Sequence, residues 1–354
     1  MKILDIRTNR LSIGLKKTFK TALRTLDHIE AIVVEIITKE GRGYGSASPT
    51  AVITGDTENS IIGAIEYIKP FLLGKDISNF EEIMVTLNNC IVGNTSAKAA
   101  IDIALYDLYG KLYNAPVYKL LGGYRNKLTT DITISLNSPD EMAADSLEAV
   151  NQGFTYLKVK VGKDSQLDIK RMQAIRKAVG NEINIKVDAN QGYTPKEAVY
   201  IIKRMEQKDI DIYLMEQPVY AKDIDGLKYV TDNVNIPILA DESVFSPIDA
   251  MTIINKRAAD IINIKLMKTG GIYNALKIIS LAEIVDMKCM IGSMMESNIG
   301  VTAAAHLAAA KENIMEVDLD VPLLCSENPI KGGISYNKSN ILFNQESGFG
   351  FGKM

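Results

Sequence analysis

Five stretches decide the fold: TYLKVKVG (155–162), INIKVDANQ (183–191), IYLMEQP (212–218), IPILADES (236–243) and DIINIKL (260–266). Each is a short apolar run that carries a charged residue at or near its end. The key positions are Lys160, Asp188, Glu216, Asp241 and Lys265, spaced by 24 to 28 residues. Such a step holds one buried strand, one helix and two loops, which is the rhythm of a parallel β/α barrel. The ladder extends upstream to LTTDITISL (128–136). Downstream it reaches KCMIGSM (288–294) and NIMEVDL (313–319), which flank an Ala-rich helix. Eight strands result. In such barrels the loops after the strands form the open mouth, so charges there point to chemistry.

The rest of the chain fits around this frame. Its 354 residues, 47% hydrophobic and 23% charged, suffice for a barrel with an appended domain. A formal net charge of −3 gives no broad basic surface, which argues against nucleic acid as a partner. Cys90, Cys289 and Cys325 are odd in number and far apart, as expected of reduced thiols in a cytoplasmic protein. The opening MKILDIRTNRL shows no secretory signal, and no apolar run reaches membrane-spanning length.

Residues 1–125 read as an α+β capping domain. ILDIRTNRLSI (3–13) and HIEAIVVEIIT (28–38) alternate as antiparallel strands. KKTFKTALRTLDH (16–28) between them is expected to be a long polar loop, too long for a tight hairpin, and GRGYGSASPT (41–50) a Gly/Ser/Pro loop. Either loop could reach over a pocket, which makes Arg24 a candidate anion contact. Residues 57–120 read as helical, with Ala97, Ala100, Ile101, Ala104, Leu105 and Leu108 at helical spacing. LGGYRNK (121–127) leads into the barrel of residues 126–320. Residues 321–354 are expected to fold back on the first domain.

The strand-end residues suggest a reaction. Asp188, Glu216 and Asp241 would end adjacent strands, where three carboxylates repel one another unless a cation sits among them. Oxygen donors without histidine or cysteine favour Mg²⁺, or Mn²⁺, over Zn²⁺. Glu242 has the opposite strand parity and is left outside that set. Lys158 and Lys160 share one face of the second strand, and Lys265 ends the sixth, directly across an eight-stranded barrel. Lysines on opposite sides of a bound carboxylate allow one to remove an α-proton and the other to return it to the opposite face. Clustered cations would lower the pKa of such a base. Lys186 and Lys268 are read as snorkelling or pairing with a carboxylate. His28 and His306 lie away from strand ends, so neither is a candidate base.

The segments KVKVG, VDANQGY, MEQP, ADES and NIKLMKTGG resemble the enolase superfamily, muconate-lactonizing subgroup, along nearly the whole chain. That resemblance implies a (β/α)7β barrel, a modified TIM barrel, with an α+β capping domain. It implies Mg²⁺ on Asp188, Glu216 and Asp241, acid/base work by Lys160 and Lys265, and Lys158 on the substrate carboxylate. In MEVDLDVP (315–322), Asp318 and Asp320 form a carboxylate pair suited to a substrate ammonium, and this D-x-D resembles the dipeptide epimerases. FKTALRT (19–25) resembles the lid of those acting on L-Ala-D/L-Glu, where the arginine, here Arg24, meets the glutamate side chain. GSMMES (292–297) likewise implicates Ser293 and Met295 in contacts to the dipeptide, with Thr133 as a further pocket residue. The expected partner is a small dipeptide, the expected assembly a homo-oligomer. Cycloisomerases, succinylbenzoate-forming dehydratases and N-acylamino-acid racemases share the machinery, but their substrates lack the free ammonium. A barrel without turnover is disfavoured by the complete set of lysines and carboxylates.

Overall fold

The computed structural model describes residues 1–352. Three antiparallel strands come first: β1 (Asp5–Lys20), β2 (Thr25–Ile37) and β3 (Arg42–Ala47), in the order β1-β2-β3. Helices Glu58–Leu72 and Thr95–Leu112 pack against this sheet, and helix Phe80–Asn89 packs against those two helices. Two expected loops are strands instead. The polar stretch 16–28 continues β1 to Lys20 and resumes as β2 at Thr25, leaving a tight turn in which the Thr21 N–H donates to the Arg24 carbonyl at 2.9 Å. A bulge between Gly14 and Phe19 disturbs the alternation there. The glycine-rich stretch 41–50 forms β3, whose glycines serve close packing rather than a turn. A β-carbon at Gly43 or Gly45 would collide with the Ala104 or Ala100 carbonyl of helix Thr95–Leu112.

The run 128–136 splits. β4 (Lys127–Thr129) leaves the barrel to pair with the C-terminal segment, and only β5 (Ile132–Ile134) is a barrel strand. Seven more follow: β6 (Tyr156–Lys160), β7 (Asn184–Asp188), β8 (Leu214–Glu216), β9 (Ile238–Ala240), β10 (Ile261–Ile264), β11 (Lys288–Gly292) and β12 (Ile314–Asp318). All are parallel and lie in sequence order. A bridge from Thr130 to Val317 joins the two ends of the sheet. Helices separate successive strands, and none of barrel length follows β12, so the architecture is (β/α)7β. Local signals support the helices: Ser138 with Glu141 and Thr194 with Glu197 are capping boxes, each with proline at the first turn.

The C-terminal segment crosses both parts. β13 (Ser335–Asn337) and β14 (Asn340–Leu342) extend β4 into a small sheet. Farther on, the Phe349 N–H donates to Asp107 at 2.9 Å in the capping helix. That helix is also tied to the barrel. Asp102 accepts the N–H groups of Ile272 (2.7 Å) and Tyr273 (3.2 Å), which open helix Ile272–Ile284 and have no carbonyl partner within it. No helix among the described residues is long and apolar enough to cross a membrane.

Candidate active site

Strand parity and register build the site. Within the barrel, Lys160 pairs with Asp188 and Asp188 with Glu216, while Glu216 pairs with Leu239, two residues before Asp241. The three carboxylates therefore rise along neighbouring strand ends and share the inward face. One cleft is lined by Arg24, Thr133, Lys158, Lys160, Lys265, Ser293, Met295, Asp318 and Asp320. Asp188, Glu216 and Asp241 lie fully buried at its base. Lys160 and Lys265 come from β6 and from the end of β10, four strands apart in eight, so they face each other across the cleft.

The carboxylates are not left to repel one another. Lys160 Nζ stands 2.5 Å from Asp188 Oδ2, and Lys265 Nζ 2.6 Å from Asp241 Oδ2. Lys158 Nζ is shared by Asp188 (3.1 Å), Glu216 (2.8 Å) and Asp318 (2.6 Å). Lys268 Nζ lies 2.7 Å from Asp241 Oδ1 and donates to the Asn263 carbonyl at 2.9 Å. Lysine ammoniums thus balance part of the negative charge of these carboxylates. These carboxylates hold the Lys265 and Lys158 ammoniums up. Burial pulls the Lys265 ammonium down, but Asp241 outweighs it and holds the group above its ordinary value. Burial likewise acts on Lys158, and Asp318, Glu216 and Asp188 more than reverse it. Burial pushes Asp188 up, yet Lys160 and Lys158 bring it to about 2.

The donor set nevertheless suits a hard cation. The three carboxylates are buried hard oxygen donors on adjacent strands, and Glu216 Oε2 and Asp241 Oδ1 have lysine ammoniums as their only close partners, at 2.8 and 2.7 Å. With each turned toward a lysine, no three histidine, cysteine or carboxylate side chains among the described residues are gathered as a bound ion would require.

The remaining predicted residues surround the upper cleft. Asp318 ends β12 and is occupied by Lys158. Asp320 follows the strand, and its Oδ2 accepts the Thr133 N–H at 2.6 Å. Burial, then Asp318, pushes Asp320 up to about 6. Ser293 and Met295 lie just beyond β11, and the Met295 carbonyl accepts from Ser48 Oγ at 2.7 Å. Arg24 sits in the β1–β2 turn, half-buried. Among the described residues its guanidinium has no ion pair, and desolvation lowers its pKa with nothing opposing it. A half-buried, unpaired arginine facing a cleft is a ready anion contact.

Several residues were missed by sequence reasoning. Glu242, set aside on parity, is buried and accepts from Asn190 Nδ2 at 3.2 Å; burial and then Asp241 push it up to about 8. Asn190 lines the cleft, and its N–H donates to Asp188 Oδ1 at 2.9 Å from a left-handed backbone, φ 42°. Asn263 Nδ2 donates to Glu216 Oε1 at 2.8 Å. Lys186, expected to snorkel or pair with a carboxylate, lies below the site between Asp131 (2.5 Å) and Glu316 (2.7 Å). His306 is buried away from the cleft, accepts the Tyr118 N–H at 3.2 Å, and is lowered to about 3 by burial.

Comparison with known proteins agrees with this architecture. Residues 6–122 match the N-terminal domain of the mandelate racemase / muconate lactonizing enzyme family, and residues 141–352 the enolase C-terminal domain-like family. The L-Ala-D/L-Glu epimerase of Clostridium acetobutylicum is 58% identical over 352 residues, covering 99% of this chain and 98% of that one. The crystallised substrate-liganded L-Ala-D/L-Glu epimerase of Bacillus subtilis superposes with a TM-score of 0.98 at 48% identity, covering 99% of both chains. The Enterococcus faecalis dipeptide epimerase complexed with Mg and L-Leu-L-Tyr gives a TM-score of 0.97 at 44% identity, covering 100% of both. With both domains matched and the barrel, cap and cleft in place, the chain belongs to the mandelate racemase / muconate lactonizing enzyme family of the enolase superfamily.

Proposed function

We infer that this protein is a dipeptide epimerase acting on L-Ala-D-Glu and L-Ala-L-Glu by two-base proton transfer at the α-carbon of the second residue. The observation that carries this reading is the pair of lysines, Lys160 and Lys265, facing each other across one cleft with carboxylates at one end and an unpaired arginine at the other. Asp188, Glu216 and Asp241 would hold Mg²⁺; two similar dipeptide epimerases are solved in complex with Mg and a dipeptide. When bound, that ion supplies positive charge for the substrate α-carboxylate and for the enediolate that proton loss creates. Lys160 and Lys265 move the proton, one on each face. Lys158, centred among Asp188, Glu216 and Asp318, places a fixed positive charge beside the same carboxylate. Asp318 and Asp320 take the ammonium of the first residue, which a cycloisomerase, dehydratase or acylamino-acid racemase substrate lacks. The reading extends to L-Ala-D-Glu released from cell-wall peptides and handled in the cytoplasm.

Arg24 selects the second residue, and Arg24→Ala tests the substrate assignment. A charge-assisted contact of about 2 kcal/mol corresponds to roughly 30-fold in affinity. KM for L-Ala-L-Glu is expected to rise by about that factor, with kcat less affected, while L-Ala-L-Ala is handled as before. Equal losses on both dipeptides would remove Arg24 from the glutamate contact.

Asp320 predicts a pH dependence. Raised to about 6 by burial and Asp318, it is neutral below that pH and a carboxylate above it. Only the carboxylate attracts an ammonium. kcat/KM is expected to fall by about tenfold per pH unit below roughly pH 6. In Asp320→Asn that limb should disappear and KM should be high at every pH.

A further inference from the structure

Lys265 follows the last residue of β10, and its neighbour on β11 is a glycine. Register pairs Asn263 with Met290 and Ile264 with Ile291, which sets Lys265 beside Gly292 with both on the inward face. Glycine in a strand interior is unfavourable and marks a bulge or a close approach. Gly292 is not among the residues with positive φ, so the backbone does not require it. The space does. A β-carbon there would stand 3.1 Å from Lys265 Cε and 2.9 and 3.0 Å from Asn263 Oδ1 and Nδ2. The three nearest atoms belong to side chains rather than backbone, the Lys265 chain end and the Asn263 amide that donates to Glu216 Oε1 at 2.8 Å, so an added methyl would press on side chains and leave the strand in place.

We propose that Gly292 is a positioning residue for Lys265: the notch it leaves lets the lysine cross the barrel interior to the reacting carbon. This rests on the two-base reading and makes it directional. Lys160 approaches from the far side of the cleft, from β6, and has no contact with the notch. A shift of Lys265 that leaves Asn263 and Glu216 in place should therefore impair proton removal from one epimer and spare the other. Displacing a catalytic group by even a fraction of an ångström costs at least about tenfold, and about 100-fold at 1 Å.

The test is α-proton exchange of L-Ala-L-Glu and of L-Ala-D-Glu in D₂O with Mg²⁺, followed by proton NMR for the native protein, Gly292→Ala, Lys160→Ala and Lys265→Ala. Gly292→Ala is expected to lose at least about tenfold in exchange from the same epimer that Lys265→Ala no longer exchanges. It should keep near-native exchange from the epimer that Lys160 serves, with KM little changed. That retained exchange is also the control for an intact site. Loss from both epimers, as displacement of Asn263 and Glu216 would cause, overturns the proposal. So does native behaviour, or absence of a cooperative thermal transition, which would make the glycine a packing requirement of the barrel. The lysine variants test the underlying reading separately: if they do not lose exchange from opposite epimers, two-base chemistry fails whatever Gly292→Ala does.

Discussion

Lys265→Ala is expected to abolish epimerisation in both directions, and Lys160→Ala to do the same, each by at least 10²- to 10⁴-fold, the range of a lost general acid or base. The reason is geometric. The two ammoniums project from strands on opposite sides of one cleft, so each reaches only one face of a planar enediolate. Epimerisation needs both faces, one for removal and one for return. Exchange needs only one. Each single variant should therefore still wash solvent deuterium into one epimer, and the two should choose different epimers. Neither replacement should unfold the protein, yet both leave an uncompensated charge. Without Lys160, Asp188 keeps Lys158 at 3.1 Å, and without Lys265, Asp241 keeps Lys268 at 2.7 Å. The residual pairing limits the loss of stability, which thermal unfolding would measure.

The second large effect is on cation removal. EDTA is expected to abolish turnover, and excess Mg²⁺ to restore it, with Asp241→Asn irreversibly impaired by about 1,000-fold or more, since several kcal/mol of transition-state charge stabilisation would go. The fold should survive the treatment. Lys158, Lys160, Lys265 and Lys268 already neutralise Asp188, Glu216, Asp241 and Asp318 in the arrangement described above. Cation-free protein should thus melt cooperatively, with Mg²⁺ raising the midpoint in a concentration-dependent way. Full turnover in EDTA would remove Asp188, Glu216 and Asp241 from a metal role.

The site was legible where physics leaves few options. Buried barrel strands are mostly apolar, so the charges at or near their ends, Asp188, Glu216, Asp241 and Lys265, stood out, and their spacing of 24 to 28 residues placed them on successive strands; Lys158 and Lys186 are the buried charges within those strands. The loop reading made Arg24 a candidate anion contact, but only its motif tied it to a glutamate side chain, because a polar turn in a hairpin looks like any loop. The lid strands were lost for the same reason: β1 and β2 run out past the core, where polar side chains alternate with nothing to pack on. β3 was hidden because Gly43 and Gly45 read as turn residues, whereas each makes room for a helix carbonyl. Alternation in 128–136 could not say that the chain changes sheets at Thr130. The pairing of lysines with carboxylates depends on which side chains meet across the barrel, and no single stretch of sequence contains that.

The most direct test of the central claim is proton NMR of the Mg²⁺-loaded protein with L-Ala-L-Glu in D₂O. The account predicts that the glutamate α-proton signal disappears while the resonances of L-Ala-D-Glu grow in, deuterated at the α-carbon. Exchange at that carbon without the second diastereomer would contradict the two-base assignment. No exchange at all would contradict the substrate.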